Sequence, residues 1–437
     1  MVVTTIGTTF LHLLVPLYYK KFLDVLTNSG LRISEELLQN LTNIIIFIFL
    51  LHAIAWVLYR VSFFSIGYFQ TRVFADLANT SFEYLHQHSH RFFINRFVGA
   101  LVRKVNRLLD AFDGISDRLY WDLLPLTLRI AGVLIVLFYR NTILGSILLG
   151  WIIIYLITNY FFTLYKFKYD EERARVDTEV TARLADTITN NANIKLFSGF
   201  RFEFEAFRNI TEKQRKITKF NWDLTGYMEA VQAGLMIALE FLLFYFAIRF
   251  WARGLLTVGD FILIQAYLLD IFGRLWDFGR FFRDMYRHLA DAQEMVEILN
   301  SPHEIQDKPL AKELVVTNGE VAFQNVDFTY TKTREVIRNF SLHINAGEKI
   351  GLVGPSGAGK STLVALLLRF FDLQSGGIYI DGENIADVTQ ESLRRHIAMV
   401  PQDPILFHRS LMENIRYGRH GALDEEVKEA ARLAHCD

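Results

Sequence analysis

The sequence predicts a multi-domain membrane protein: an all-α transmembrane domain of six helices, followed by a partial α/β domain built around a phosphate-binding loop. Three observations carry this prediction. Long apolar runs recur over residues 1–280, separated by charged stretches. The composition is 51% hydrophobic and 14% aromatic with 38 Phe, and the mean hydropathy of +0.21 is high for a soluble chain. The stretch GLVGPSGAGKST, Gly351 to Thr362, then lies among short strand-like patterns. The formal charge of -1 argues against nucleic acid as a partner, since such a binder carries a basic excess. Cys436 is the single cysteine, which excludes an internal disulfide framework.

The six expected spans follow in order. Met1–Tyr19 has no Asp, Glu, Lys or Arg, and neither has Asn43–Tyr59. Leu123–Tyr139 is broken only by Arg129, and Ile143–Leu164 runs 22 residues without a charge. Ala230–Ile248 is interrupted by Glu240, and Gly254–Leu269 begins the sixth. A hydrocarbon core about 30 Å thick takes roughly 20 helical residues, and only helices or closed barrels satisfy their backbone in lipid. These runs are too continuous for alternating barrel strands. The first has no basic flank before it and no small-residue cleavage site, so it reads as a helix rather than a signal peptide.

Connections after the first, third and fifth spans are short or poorly charged. Those after the second and fourth are long and basic, with Arg91, Arg96, Arg103, Lys104 and Arg107 in one and Lys166, Lys168, Arg173, Arg175 and Arg201 in the other. The positive-inside bias places both in the cytoplasm, on the same side as the phosphate loop. Heptad-like apolar spacing in LADTITNNANIKLF predicts helices that run on well below the bilayer. The chain is thus expected to be a multi-pass integral membrane protein of the cell membrane (the inner membrane in a bacterium), with residues 1–300 as the transmembrane domain. SPHEIQDKPLAKEL opens a linker over 301–318, and 319–437 form the partial α/β domain.

Ionisable groups at bilayer depth mark sites by default, because exposing them to lipid costs a few kcal/mol. Glu240 and Arg129 are such groups, and Asp270, Arg274, Asp277 and Arg280 share one helical face further on. Either they pair, Glu240 with Arg129 among them, or they line a translocation path. His86 and His90, at i, i+4 in HQHSH, have a zinc-ligand spacing but no clear third ligand beyond His88, so solvated loop histidines are the expectation.

EVAFQNVDFTY, VIRNFSLHI and the apolar run Lys349–Val353 read as strands. The last leads into Gly354-Pro355-Ser356-Gly357-Ala358-Gly359-Lys360-Ser361, which fits G-x-x-x-x-G-K-[ST], with Thr362 following in an apolar helix. The glycines allow successive N–H groups to turn onto phosphate oxygens, and the helix directs its positive end there. Lys360 reaches the terminal phosphates and the Ser361 hydroxyl holds Mg²⁺. A nucleoside triphosphate site follows.

VAFQNVDFTY places Tyr330 thirty residues before Lys360, and VPQDPILFHRSLMENI places Gln402 forty-two after it. With these, the chain resembles the ATP-binding cassette exporters over nearly its whole length. The resemblance implies that Tyr330 stacks on adenine and that Gly354 to Thr362 binds ATP. It also implies that Gln402 contacts Mg²⁺ or the attacking water, so that Lys360 and Gln402 are the catalytic positions. NRFVGALVRKVN and LADTITNNANIKLFSGF resemble the two cytoplasmic loops whose short coupling helices press on nucleotide domains. The implied partner is a second half-transporter, identical or not. The family's L-S-G-G-Q signature, its strand ending in Asp-Glu and its switch histidine have no counterpart, because Asp424-Glu425 opens a helix. The expectation is therefore a fragment of a half-exporter that holds ATP but completes no hydrolytic site alone. The alternatives are a non-catalytic membrane protein that at most binds nucleotide, and a membrane-bound phosphate-loop kinase or GTPase.

Overall fold

The structure, a computed structural model, describes residues 1–29, 34–276, 278–331, 334–402 and 404–436, with the side chains at 278–280, 283, 331, 334 and 335 left out. These residues form two compact units, Met1–His86 with Gly99–Ser301, and Gln87–Val98 with Pro302–Asp437.

The first unit is helical. It contains α1 (Val2–Asn28), α2 (Glu35–His86), α4 (Val98–Asp117) continued through a π turn (Arg118–Leu123) into α5 (Leu124–Arg140), and α6 (Thr142–Thr189). The short α7 (Asn191–Leu196), α8 (Phe200–Ala252), α9 (Val258–Leu275) and α10 (Phe278–Leu299) complete it. At a rise of about 1.5 Å per residue, α2, α6 and α8, with 52, 48 and 53 residues, are far longer than a bilayer is thick. This matches the expected cytoplasmic extensions. Five of the described helices are long and apolar enough to cross a membrane: α1, α2, α4–α5, α6 and α8. The expected sixth span falls on the 18-residue α9, which carries Asp260, Asp270 and Arg274.

Leu144, Leu148, Tyr155, Leu239, Leu243, Leu263 and Ile271 join α6, α8 and α9 in one buried cluster, with Val133 and Leu137 of α5. Val15 of α1 packs with Ile44, Ile48 and Leu51 of α2. The outward faces stay apolar: Phe49 and Phe64 of α2 are 68% and 70% exposed. A helix that is apolar all round, with one face packed and the other bare, suits a lipid environment. The Asn141 side chain caps α6 by accepting from the Ile143 N–H at 2.9 Å.

The second unit holds α3 (His90–Ile94), β1 (Val321–Thr331), β2 (Arg334–Ile344), α11 (Lys360–Leu367), β3 (Ser375–Ile380), β4 (Glu383–Asn384), α12 (Gln390–Arg395), α13 (Leu411–Arg416) and α14 (Asp424–Leu433). Its sheet has the order β2-β1-β3-β4, and each pair is antiparallel. Asp381 and Gly382 both have positive φ (48° and 84°) and link β3 to β4, the two-residue Asp-Gly turn whose twist suits a hairpin. Phe323, Val326, Phe328, Ile378 and Ile380 of the sheet bury against Leu366 of α11 and Leu393 of α12.

Leu314 enters this core at 2% exposure, and its N–H donates to Ser392 Oγ at 2.9 Å. Arg369, 4% exposed, has Asp307 and Asp372 as ion-pair partners and donates to the carbonyls of Gln306 and Val388. The polar stretch after Ser301 is thereby sewn onto the second unit. So is α3, where Ser89 Oγ donates to Glu304 at 2.7 Å and the His90 ring lies 4.7 Å from that of Phe370.

Two expectations are corrected. Lys349–Val353 is not a strand: Val353 is 92% exposed, and no described strand pairs with it. An apolar run becomes a strand only when a neighbour takes its backbone hydrogen bonds. Arg129 pairs with Asp270, not with Glu240, which forms no ion pair among the described residues.

Candidate functional site

The phosphate loop is built from local backbone geometry. Gly354, Gly357 and Gly359 have φ of 154°, 83° and 88°, values that residues with a Cβ rarely adopt. Gly359 caps α11, which begins at Lys360 as the sequence motif predicts. Within the loop, the Ala358 N–H donates to the Pro355 carbonyl at 3.2 Å. Among the described residues, the N–H groups of Gly357, Gly359, Lys360, Ser361 and Thr362 find no acceptor. Five free donors at and just before a helix N-terminus suit a phosphate chain. The loop is exposed from Gly354 to Ala358, and space around Gly357 is open to 4 Å.

Lys360 reinforces this reading. Its ammonium donates to the carbonyls of Gly354 at 2.8 Å and Pro355 at 2.9 Å, and it has no carboxylate partner among the described residues. The charge is folded over the loop without being neutralised, so oxyanions brought there meet a full positive charge. Tyr330, on β1, stands beside the start of α11: its hydroxyl lies 3.1 Å from Thr362 Oγ1, and its ring packs edge-on against Phe328 and Phe371. It is 37% exposed, which leaves part of the ring available for stacking. Ser361 is exposed at the first turn of α11. Gln402 is exposed, and among the described residues no hydrogen bond joins it to the loop. Asp424-Glu425 opens α14, as read from the sequence.

Of the membrane groups, Arg129 Nη1 donates to Asp270 Oδ1, and Arg274 Nε lies 3.6 Å from the same oxygen. Asp277 and the Arg280 side chain lie outside the described residues. His86, on α2, lies against Phe82, while His88, in the second unit, stacks on Phe92 with ring centroids 3.9 Å apart. Burial, then the His303 ring, push the His88 pKa below its ordinary value. Among the described residues no group of three or more His, Cys, Asp and Glu could hold a metal ion.

Sequence reasoning missed one feature with a readable signal. Thr4, Thr5, Thr8, Thr9 and His12 recur at helical spacing in an otherwise apolar run, which makes a polar stripe on α1. In the fold, Thr5 Oγ1 donates to the Tyr120 hydroxyl at 2.6 Å and Ser62 Oγ to Thr4 Oγ1 at 2.6 Å, so the stripe faces the bundle interior.

Comparison with known proteins agrees with this arrangement. The family described as "ABC transporter transmembrane region" matches residues 1–275, and the family described as "ABC transporter" matches 337–436. An ATP-binding cassette sub-family B member 6 from Xenopus tropicalis is 31% identical over 450 residues, covering 97% of this chain and 50% of the relative. An ATM1-type heavy metal exporter from Novosphingobium aromaticivorans is 32% identical over 429 residues, covering 97% of this chain and 69% of the relative. The solved structure of a bacterial Atm1-family ABC exporter with ATP bound superposes with a TM-score of 0.80 at 29% identity, covering 99% of this chain and 76% of that one. The chain therefore spans about half the length of the first of these relatives. With a helical membrane region in front of a phosphate-loop unit, and family matches over both, this chain belongs to the ABC transporter family, as a multi-pass membrane protein similar to the Atm1-type exporters.

Proposed function

We propose that this chain forms one half of an ATP-driven exporter, with a second half-transporter, identical or not, as its partner in the bilayer. The single observation that carries the nucleotide part is the loop itself: between Gly357 and Thr362, five N–H groups have no acceptor and Lys360 has no carboxylate partner among the described residues. When bound, Mg²⁺ATP supplies the phosphate charge and the bond whose cleavage drives transport. The chain's residues position it. The N–H groups of Gly357, Gly359, Lys360, Ser361 and Thr362 would cradle the phosphates, with Gly354, Pro355, Ser356 and Ala358 shaping the loop. Lys360 would leave its two carbonyls for the terminal phosphates, and the Ser361 hydroxyl and Gln402 side chain would hold Mg²⁺. The exposed part of the Tyr330 ring takes the adenine.

The reading rests on positioning and charge stabilisation, which do most of the work in phosphoryl transfer. Lys360→Ala removes the charge and leaves the backbone nest. Binding of a trinitrophenyl-ATP probe to the chain in detergent is expected to weaken by at least about tenfold, the effect of one lost charge-assisted contact. Equal affinity in wild type and Lys360→Ala, with matched melting temperatures, would exclude this site.

A further inference from the structure

Between α1, α2, the π turn, α5 and α9 lies a cavity of about 290 Å³, lined among others by Thr8, Thr9, His12, Trp121, Arg129 and Arg274. Its electrostatics are unbalanced. Among the described residues, two guanidiniums face one carboxylate, that of Asp270. Arg129 spends one of its five N–H donors on Asp270, and Arg274 makes no hydrogen bond among the described residues. The Nε atoms of both are buried without an acceptor. Leaving a buried donor without an acceptor is costly, more so when it is charged, so such groups persist where something else accepts from them. The wall adds a histidine and threonine hydroxyls, and Trp121 provides an apolar side. A π turn at this height is a further sign, since π turns gather at functional sites.

We propose that this cavity binds an oxyanion group, the carboxylate or phosphate of a small molecule or of a phospholipid, through Arg129 and Arg274. Asp270 holds Arg129 in place and neutralises one of the two charges. Arg274 is left to carry the ligand, with the free edge of Arg129 beside it. The planar guanidinium fork matches carboxylate and phosphate oxygens, and at membrane depth the contact is screened little by water. The cavity has room for a headgroup-sized moiety, at the lower end of ligand-pocket volumes. The inference is independent of the nucleotide site, and its test contains no nucleotide.

The test uses the full chain in nanodiscs of pure phosphatidylcholine, titrated with inorganic phosphate. Two signals are followed: the melting temperature, and the emission of Trp121, taken as the difference from Trp121→Phe. A second set of nanodiscs contains equal parts phosphatidylcholine and phosphatidylglycerol. Arg274→Gln is the key variant because Asp270 keeps Arg129, and Arg274→Lys is its charge-preserving control. A saturable response to phosphate that Arg274→Gln weakens about tenfold, and Arg274→Lys largely keeps, assigns a soluble anion. A rise in melting temperature with phosphatidylglycerol, lost in Arg274→Gln, assigns a lipid headgroup. If neither phosphate nor phosphatidylglycerol acts through Arg274, the proposal is overturned.

Discussion

Arg140 closes on Asp260 through two hydrogen bonds, Nε to Oδ1 at 3.0 Å and Nη2 to Oδ2 at 2.8 Å, although the residues stand 120 positions apart. Asp260 is 1% exposed and does more than pair. It accepts from the N–H and hydroxyl of Thr257, closing a capping box at the start of α9, and Lys20 of α1 lies 3.6 Å away. One carboxylate thus ties together α1, the end of α5 and the start of α9.

Removing that carboxylate leaves Arg140 and a helix cap unsatisfied, while Lys20 keeps Asp24 at 2.5 Å. Asp260→Ala is expected to destabilise the membrane unit by about 2 kcal/mol or more, from the lost cap and the lost bidentate bonds of the partly exposed Arg140. Arg140→Lys keeps the charge but not the fork and should cost less. Denaturant unfolding in detergent, followed by circular dichroism, ranks the two; a smaller loss for Asp260→Ala than for Arg140→Lys contradicts this account.

Beside it, Gly259 allows α1 and α9 to approach at backbone distance. Its N–H donates to Asp24 Oδ1 at 2.9 Å, and a Cβ added there would overlap both that oxygen and the Lys20 carbonyl. Gly259→Ala should therefore lower stability by about 1–3 kcal/mol, as overpacking does. Gly273→Ala on the same helix meets nothing within 4 Å and is expected to be neutral or mildly stabilising, since alanine is the better helix former. Melting temperatures of the two variants decide it, and equal effects would mean that the close approach carries no energy.

In the second unit, Asp381 accepts from the backbone N–H groups of Thr317, Asn318, Gly319 and Glu320. Those bonds hold its carboxyl well below the usual carboxylate range. A depressed folded value means stability that is fully present above the unfolded pKa, about 3.9, and is lost as pH falls through the folded value. The advantage of wild type over Asp381→Asn in melting temperature should stay constant from pH 7 to about pH 5 and shrink only below about pH 4. A gap that already closes between pH 7 and pH 5 would assign the effect to another group.

Tyr330 separates stacking from hydrogen bonding at the proposed nucleotide site. Tyr330→Phe loses only the contact with Thr362 and should keep nucleotide affinity within about threefold, the lower end of a hydrogen bond's net worth. Tyr330→Ala loses the ring and should weaken binding about tenfold, in line with roughly 1–3 kcal/mol per stacked base. Fluorescent-nucleotide titration measures both, and a larger loss in the Phe variant would reverse the assignment.

By itself, the order of residues determined the features that are local along the chain. An uncharged run such as Ile143–Leu164 declares a span because lipid demands length and apolarity, and both are properties of one segment. The loop from Gly354 to Ser361 was legible for the same reason: glycine spacing, lysine and the following helix are contiguous, and the left-handed φ values appear where the motif requires them. The tertiary structure alone decided what depends on pairs. Arg129 met Asp270, 141 residues on, rather than Glu240, because helix rotation selects the partner and apolarity does not. The cavity beside it needs walls from separate helices: Arg129 and Arg274 stood out in the sequence, but their meeting with the α1 stripe around one cavity did not. Lys349–Val353 had a strand's composition without becoming one, since a strand exists only through hydrogen bonds to a neighbour.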